Sequence, residues 1–151
     1  AKNMVVGVYS PSLTEKVATA MSRLGVERAY VVSGEDNMDE ITLTGATTVS
    51  EIRDGAVTTF TITPEQFGYE RCSKDDLAGG TPAENAEITK AILRGEENGP
   101  KRQAVCLNAG AALYIAGKAE TMEAGVRMAE ELIDSGAALK KLDEFIACSN
   151  E

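Results

Sequence analysis

A chain of 151 residues, 43% of them hydrophobic and 26% charged, carries about one domain's worth of material and can build a core. Its formal net charge is −9 with no dense basic patch, which argues against nucleic acid and against an anionic membrane surface as partners. It has no histidine, so imidazole cannot act as general base or metal ligand, and no Ser-His or Cys-His pair can form within the chain.

The first element is a strand. Val5, Val6, Val8 and Tyr9 read as a buried segment with Gly7 inside it. Ser10 is placed to cap the helix that follows, with Pro11 at its first position. Leu13, Val17, Ala20 or Met21, and Leu24 repeat at helical spacing, and Gly25 is the expected stop. Ala29 to Val32 is the next strand. Strand, helix and strand joined by short connections predict a βαβ unit and a parallel pair.

Thr and Val dominate from Thr47 to Ile62, with Asp54-Gly55 in the middle. That pattern predicts a hairpin, Val49 to Arg53 and Val57 to Ile62, read as scaffold. Pro64 to Ala78 reads as a polar connection with one short helical turn. Thr81 and Glu84 have capping-box spacing with Pro82 at the first helical position, and the helix ends at Gly95. The capping side chains are expected to use the donors that Gly79-Gly80 could otherwise offer an anion.

Ala104 to Ala116 is almost wholly apolar but too short to span a bilayer, so it reads as a buried helix whose small residues allow close approach. Asn108 within it must find hydrogen-bond partners. Thr121 caps a further helix with Met122, Val126, Ala129 and Ile133 on one face, ended at Ser135-Gly136. Leu139, Leu142, Phe145 and Ile146 mark a last amphipathic helix. No domain boundary or repeat interrupts residues 1–151. Cys72, Cys106 and Cys148 are odd in number and lack Cys-x-x-Cys spacing, which fits free thiols in a reducing cytoplasm. There is no Gly-rich phosphate loop of either common kind, no long apolar run and no secretory leader.

The stretch with chemical promise is Val31-Val32-Ser33-Gly34-Glu35-Asp36-Asn37-Met38-Asp39-Glu40. A strand ends in a turn, and ligands of α/β proteins bind at such carboxyl edges. Asp39 and Glu40 are adjacent, so both can face one hard cation such as Mg²⁺, which is held by one or two carboxylates plus substrate phosphates. An isolated Asp-Glu pair in a loop is far more often a solvated surface feature.

The surrounding motifs change that weighing. Met38 to Val49 is followed by Glu51-Ile52-Arg53-Asp54-Gly55, Thr63-Pro64-Glu65-Gln66-Phe67-Gly68, Gly79-Gly80-Thr81-Pro82-Ala83-Glu84-Asn85-Ala86 and Leu107-Asn108-Ala109-Gly110-Ala111-Ala112-Leu113-Tyr114. In this order and spacing, from about Met4 to about Phe145, the chain resembles the C-terminal half of the anthranilate phosphoribosyltransferases. The resemblance implies an α/β fold of the phosphoribosyltransferase and nucleoside-phosphorylase kind: part of a mixed sheet flanked by helices, with a β-hairpin insertion. It implies that residues 1–151 are the C-terminal portion of that domain. The N-terminal helical domain, the glycine-rich diphosphate loop, the Lys-His-Gly-Asn segment and the anthranilate-contacting residues would then lie elsewhere.

The family is magnesium-dependent and homodimeric. It transfers phosphoribosyl from phosphoribosyl pyrophosphate to anthranilate in tryptophan biosynthesis, releasing pyrophosphate. Asp39 and Glu40 match its magnesium pair, and no catalytic or other cofactor-binding residue is carried over. Many members have His where this chain has Ser33, which puts any local role of that imidazole in doubt. Two rivals remain: a pyrimidine nucleoside phosphorylase-like relative, which needs no magnesium-diphosphate site, and a non-catalytic scaffold module of the same fold. With so few strands, an edge or face of the sheet is expected to be open.

Overall fold

The computed structural model describes residues 1–150. Its strands are β1 (Asn3–Gly7), β2 (Arg28–Gly34), β3 (Thr47–Arg53) and β4 (Ala56–Ile62). Its helices are α1 (Pro11–Arg23), α2 (Lys74–Leu77), α3 (Pro82–Leu93), α4 (Pro100–Ile115), α5 (Met122–Asp134) and α6 (Ala137–Ser149), with a 3-10 turn at Pro64–Phe67. The sheet order is β1-β2-β3-β4. β1 and β2 run parallel with Asn3 opposite Arg28 and Gly7 opposite Val32, as the βαβ reading predicts. β2–β3 and β3–β4 are antiparallel, so the sheet is mixed.

Side chains alternate between the two faces of the sheet, and each face has its own core. Ala29, Val31 and Ile52 meet Ala18 of α1, with Val17 and Met21 at the margin. Tyr30, Val32 and Val49 face the other way, into the larger core with Leu107, Ala111 and Ile115 of α4 and Val126, Ala129 and Ile133 of α5. The buried Thr14 and Ser50 and the exposed Thr59 form a hydroxyl chain on the α1 side, with Ser50 Oγ donating to Thr14 Oγ1 over 2.9 Å. This chain satisfies polar groups that burial would otherwise penalise.

Several elements differ from the sequence reading. β1 stops at Gly7, and its residues after the exposed Asn3 are half-buried because it is an edge strand; Tyr9 is 71% exposed. Ser10 does not cap α1 with its side chain and instead pairs with Ser12 Oγ at 3.0 Å. Leu24 lies past the last turn of α1 and is 85% exposed. The segment after β4 holds two short helical pieces and buries Phe67 and Tyr69. α4 begins one turn early, at Pro100, which suits proline at a first helical position. The capping box at Thr81 and Glu84 forms as expected, and Asn85 Oδ1 accepts from Gly80 N, so those donors are used. α6 forms, but its Phe145 and Ile146 are exposed rather than packed.

α4 and α5 cross with almost no space between them. A Cβ on Gly110 would lie 2.6 Å from both the backbone N and Cγ2 of Val126, and one on Gly125 would lie 2.3 Å from the Gly110 carbonyl oxygen. The contact is backbone to backbone, and no rotamer change can relieve a methyl placed there. We expect Gly110→Ala to cost about 1–3 kcal/mol, the range of overpacked cores. Chemical denaturation measures this; an unchanged midpoint would show that α5 can slide away without loss.

Candidate functional site

β1 and β2 run parallel, so their carboxyl ends lie at one edge of the sheet, and the chain leaves β2 there through Glu35–Ala46. The turn closes on Gly34 N donating to Met38 O at 2.8 Å and Asn37 N donating to Gly34 O at 3.0 Å, with Asn37 in the left-handed region at φ 64°. Glu35 N donates to Ala46 O at 2.8 Å, which brings the two ends of the loop together. Asn tolerates that backbone conformation better than most residues.

Asp36 is the hub of the loop. Its carboxylate accepts from Met38 N at 3.2 Å, Thr42 Oγ1 at 3.0 Å and Thr44 Oγ1 at 2.6 Å. Burial pushes the Asp36 carboxyl up, but the hydrogen bonds from Thr44, Met38, Thr42 and its own backbone outweigh that and hold it below its ordinary value of 3.8. Thr42 and Thr44 are thus loop hydrogen-bonders, as their position implies. Lys74 Nζ reaches the Asp36 carbonyl at 2.8 Å. Ile41 and Leu43 are buried beneath the loop and tie it to the core.

Asp39 and Glu40 are exposed between these anchors. The loop's donors go elsewhere, Met38 N to Asp36, Ala46 N to Glu35 Oε2 at 3.0 Å, Ile41 N to Asn108 and Thr42 N to Thr47 Oγ1, so among the described residues the adjacent pair stays free to take a ligand from solvent. Two neighbouring carboxylates offer hard oxygen donors of the kind Mg²⁺ takes when phosphates and water complete its shell. Among the described residues no group of three or more Cys, Asp and Glu side chains gathers as a metal cage. The donor set therefore suits a cation shared with a phosphate-bearing ligand rather than an all-protein site.

Two further contacts position the pair. Gly7 meets the loop so closely that a Cβ there would lie 1.5 Å from the Asp39 carbonyl oxygen. Asn108, in the middle of α4, grips the next peptide: its Oδ1 accepts from Ile41 N at 3.1 Å, and its Nδ2 donates to Ile41 O at 2.9 Å and to Ala104 O at 3.0 Å. The sequence showed that Asn108 needed partners but not where they are, because they lie 67 residues away. For Asp36 a signal existed: Asp-Asn after a strand-ending glycine favours a turn in which the Asp side chain bonds the backbone two residues on. Ser33 is fully buried, and its Oγ has no partner among the described residues.

A carboxyl held below its ordinary value adds stability above the unfolded-state pKa and loses it as pH falls through the folded value. Asp36→Asn should therefore cost about 1–2 kcal/mol at neutral pH, through weaker bonds to Thr42 and Thr44. The gap from the wild type should shrink below pH 3.8. Thermal unfolding of both proteins across that range is the check, and a gap that persists undiminished in acid would remove Asp36 from its role as hub.

Residues 1–139 match the family described as "Glycosyl transferase family, a/b domain". The chain is 52% identical over 150 residues to an anthranilate phosphoribosyltransferase from Methanobrevibacter smithii, covering 99% of this chain and 44% of that protein. It is equally 52% identical over 146 residues to the enzyme of that name from Desulfosudis oleivorans, covering 97% of this chain and 43% of that protein. Among solved structures, anthranilate phosphoribosyltransferase from Thermus thermophilus superimposes with a TM-score of 0.85 at 41% identity, covering 93% of this chain and 41% of that one. The Saccharomyces cerevisiae enzyme in complex with PRPP and Mg superimposes with a TM-score of 0.85 at 30% identity, covering 95% and 41%. The chain thus spans less than half the length of the relatives it matches. On the family match and the shared mixed α/β architecture, this chain belongs to the glycosyl transferase family, within its a/b domain.

Proposed function

We propose that this chain is the C-terminal portion of the α/β domain of an anthranilate phosphoribosyltransferase, and that Asp39 and Glu40 hold Mg²⁺ against the diphosphate of phosphoribosyl pyrophosphate. The observation that carries this reading is the loop itself: two adjacent carboxylates left open to solvent at the carboxyl edge of a parallel strand pair, on a backbone fixed by Gly7, Asp36 and Asn108. The relatives' common name and the solved likeness with PRPP and Mg support the same assignment.

In this reading the work of the chain is electrostatic. Transfer of phosphoribosyl to the amine of anthranilate releases pyrophosphate, and negative charge grows on the departing oxygens. Mg²⁺, when bound, offsets that charge. Asp39 and Glu40 orient the cation and stay away from the reacting carbon. Neither a nucleophile nor a general base is assigned to this chain, which has no histidine to offer. The remaining machinery, including the phosphate cradle and the acceptor site, belongs to the portion of the enzyme outside these residues. The full enzyme is then a cytoplasmic homodimer.

The uncovered surfaces of the chain support its being part of a larger unit. Among the described residues β1 pairs only with β2, and an apolar groove of about 520 Å³ lies open between α4, α5 and the start of α6, lined by Leu93, Val105, Leu113, Leu132, Ile133 and Ala138. Exposed surfaces of this kind are normally covered by further protein.

The test is reassembly. The 151-residue chain is co-expressed with the N-terminal portion of the enzyme, and loss of anthranilate fluorescence is followed with phosphoribosyl pyrophosphate, with and without Mg²⁺. We expect magnesium-dependent loss from the pair and none from the chain alone. In the full-length enzyme, Asp39→Asn and Glu40→Gln should each lower turnover on the order of 10²-fold, as loss of a main charge-stabilising contact does. Wild-type turnover and magnesium dependence in both variants would defeat the metal assignment.

A further inference from the structure

We infer that Asn108 is a positioning residue for the metal-binding loop: its carboxamide on α4 fixes the backbone that presents Asp39 and Glu40, so that α4 and the loop act as one rigid part. The inference rests on the reading of Asp39 and Glu40 as the magnesium pair, and goes beyond it by locating what holds that pair in place.

The geometry is specific to the two peptides that flank Glu40. The peptide between Asp39 and Glu40 has its carbonyl oxygen against Gly7, where a Cβ would come within 1.5 Å. The peptide between Glu40 and Ile41 donates its N–H to Asn108 Oδ1 at 3.1 Å. The Ile41 carbonyl then accepts from Asn108 Nδ2 at 2.9 Å. With both neighbouring peptide planes held, the backbone angles of Glu40 have little freedom, and the direction of its Cα–Cβ bond, from which the carboxylate extends, follows. The two-way exchange with one residue imitates the pairing of neighbouring strands, here made by a side chain.

The carboxamide is fully used. Its remaining donor goes to Ala104 O at 3.0 Å, one turn back on the same helix, which fixes the side chain on α4 before it reaches the loop. Asn108 also stands two positions from Gly110, where α4 is locked against α5. The support therefore runs from the helix crossing through Asn108 to the loop. Neither Asp nor Leu reproduces it: Asp keeps the acceptor for Ile41 N but loses both donors, and Leu loses all three bonds. A purely structural Asn, present only to satisfy buried amides, would lower stability without changing how the protein takes up a cation. A positioning Asn changes both.

The experiment uses the full-length enzyme carrying Asn108→Ala, Asn108→Asp, Asp39→Asn or Glu40→Gln. Mn²⁺ serves as the probe, titrated in the presence of phosphoribosyl pyrophosphate and followed by electron paramagnetic resonance. Mg²⁺ activation of turnover is measured in parallel, and hydrogen–deuterium exchange of the metal-free protein is followed across Met38–Thr42. Asn108→Ala should raise both metal midpoints about tenfold, as losses in the outer shell of a metal site do, with most of the lost turnover recovered at saturating Mg²⁺. Exchange should quicken across Met38–Thr42 while β2 and β3 stay protected. Asn108→Asp, which retains the acceptor, should fall between Ala and the wild type, and it decides the matter if the Ala variant does not fold. Unmoved metal midpoints in a folded Asn108 variant overturn the inference. If Asp39→Asn and Glu40→Gln shift the midpoints and the Asn108 variants do not, only the positioning role falls. If none of the four shifts them, the magnesium reading falls and takes this inference with it.

Discussion

The position of α4 governs most of what matters here, and α4 lies where it does because Gly110 has no side chain. At that residue the helix meets α5 backbone to backbone, with Gly125 opposite. The same helix lays Leu107, Ala111 and Ile115 on the sheet and reaches the loop after β2 through Asn108. A close helix crossing has little slack, because dispersion and sterics both change steeply over a few tenths of an ångström. Rigidity at the crossing is therefore passed on to the loop. The loop needs it, since its own sequence, rich in short polar residues, has no regular ladder to hold it.

Hydrogen bonds to Asp36 do the complementary job from inside the loop. One carboxylate draws in two threonine hydroxyls and a backbone amide and curls the segment around itself. That leaves two kinds of acid side by side in one short stretch. Asp36 is consumed by internal donors and Glu35 by the Ala46 amide, while Asp39 and Glu40 face outward. Composition alone cannot make that distinction, because all four are carboxylates. The distinction comes from which carboxylates find donors within the protein.

This marks where the sequence could be read and where it could not. The parallel β1–β2 pair, the β3–β4 hairpin and the α3 capping box were all legible, because each depends on contacts between near neighbours: helical spacing, an Asp-Gly turn, a Thr and a Glu three residues apart. The motifs in register made the family legible as well. Beyond the Ser10 cap and the start of α4, what failed were inferences about burial. Leu24 fits the helical stripe of α1 but lies past its last turn, and Phe145 and Ile146 have the spacing of a core face with no core beside them. Amphipathic spacing says that a face can be buried and not that a partner is present. The long-range half of the site was hidden for a related reason. Asn108 announces that it needs partners, yet only the folded chain brings Ile41 to it across 67 positions.

The charge of the chain then limits how the site can work. A protein with a formal net charge of −9, presenting two carboxylates on an acidic loop, repels a diphosphate at close range. One lysine reaches the loop, Lys74 Nζ donating to the Asp36 carbonyl at 2.8 Å, and its single charge offsets only part of the loop's acidity. A polyanion can approach such a loop only if positive charge comes with it. A divalent cation carried in on the diphosphate meets this condition and turns the repulsion into attraction. On the proposed reading, the carboxylates would select the cation-bound form of the ligand over the bare one, and a fixed loop would sharpen that selection, because a loop free to swing could turn its carboxylates to solvent at little cost. If Asp39 and Glu40 hold the cation as proposed, holding the backbone and choosing the charge state of the ligand become one physical task.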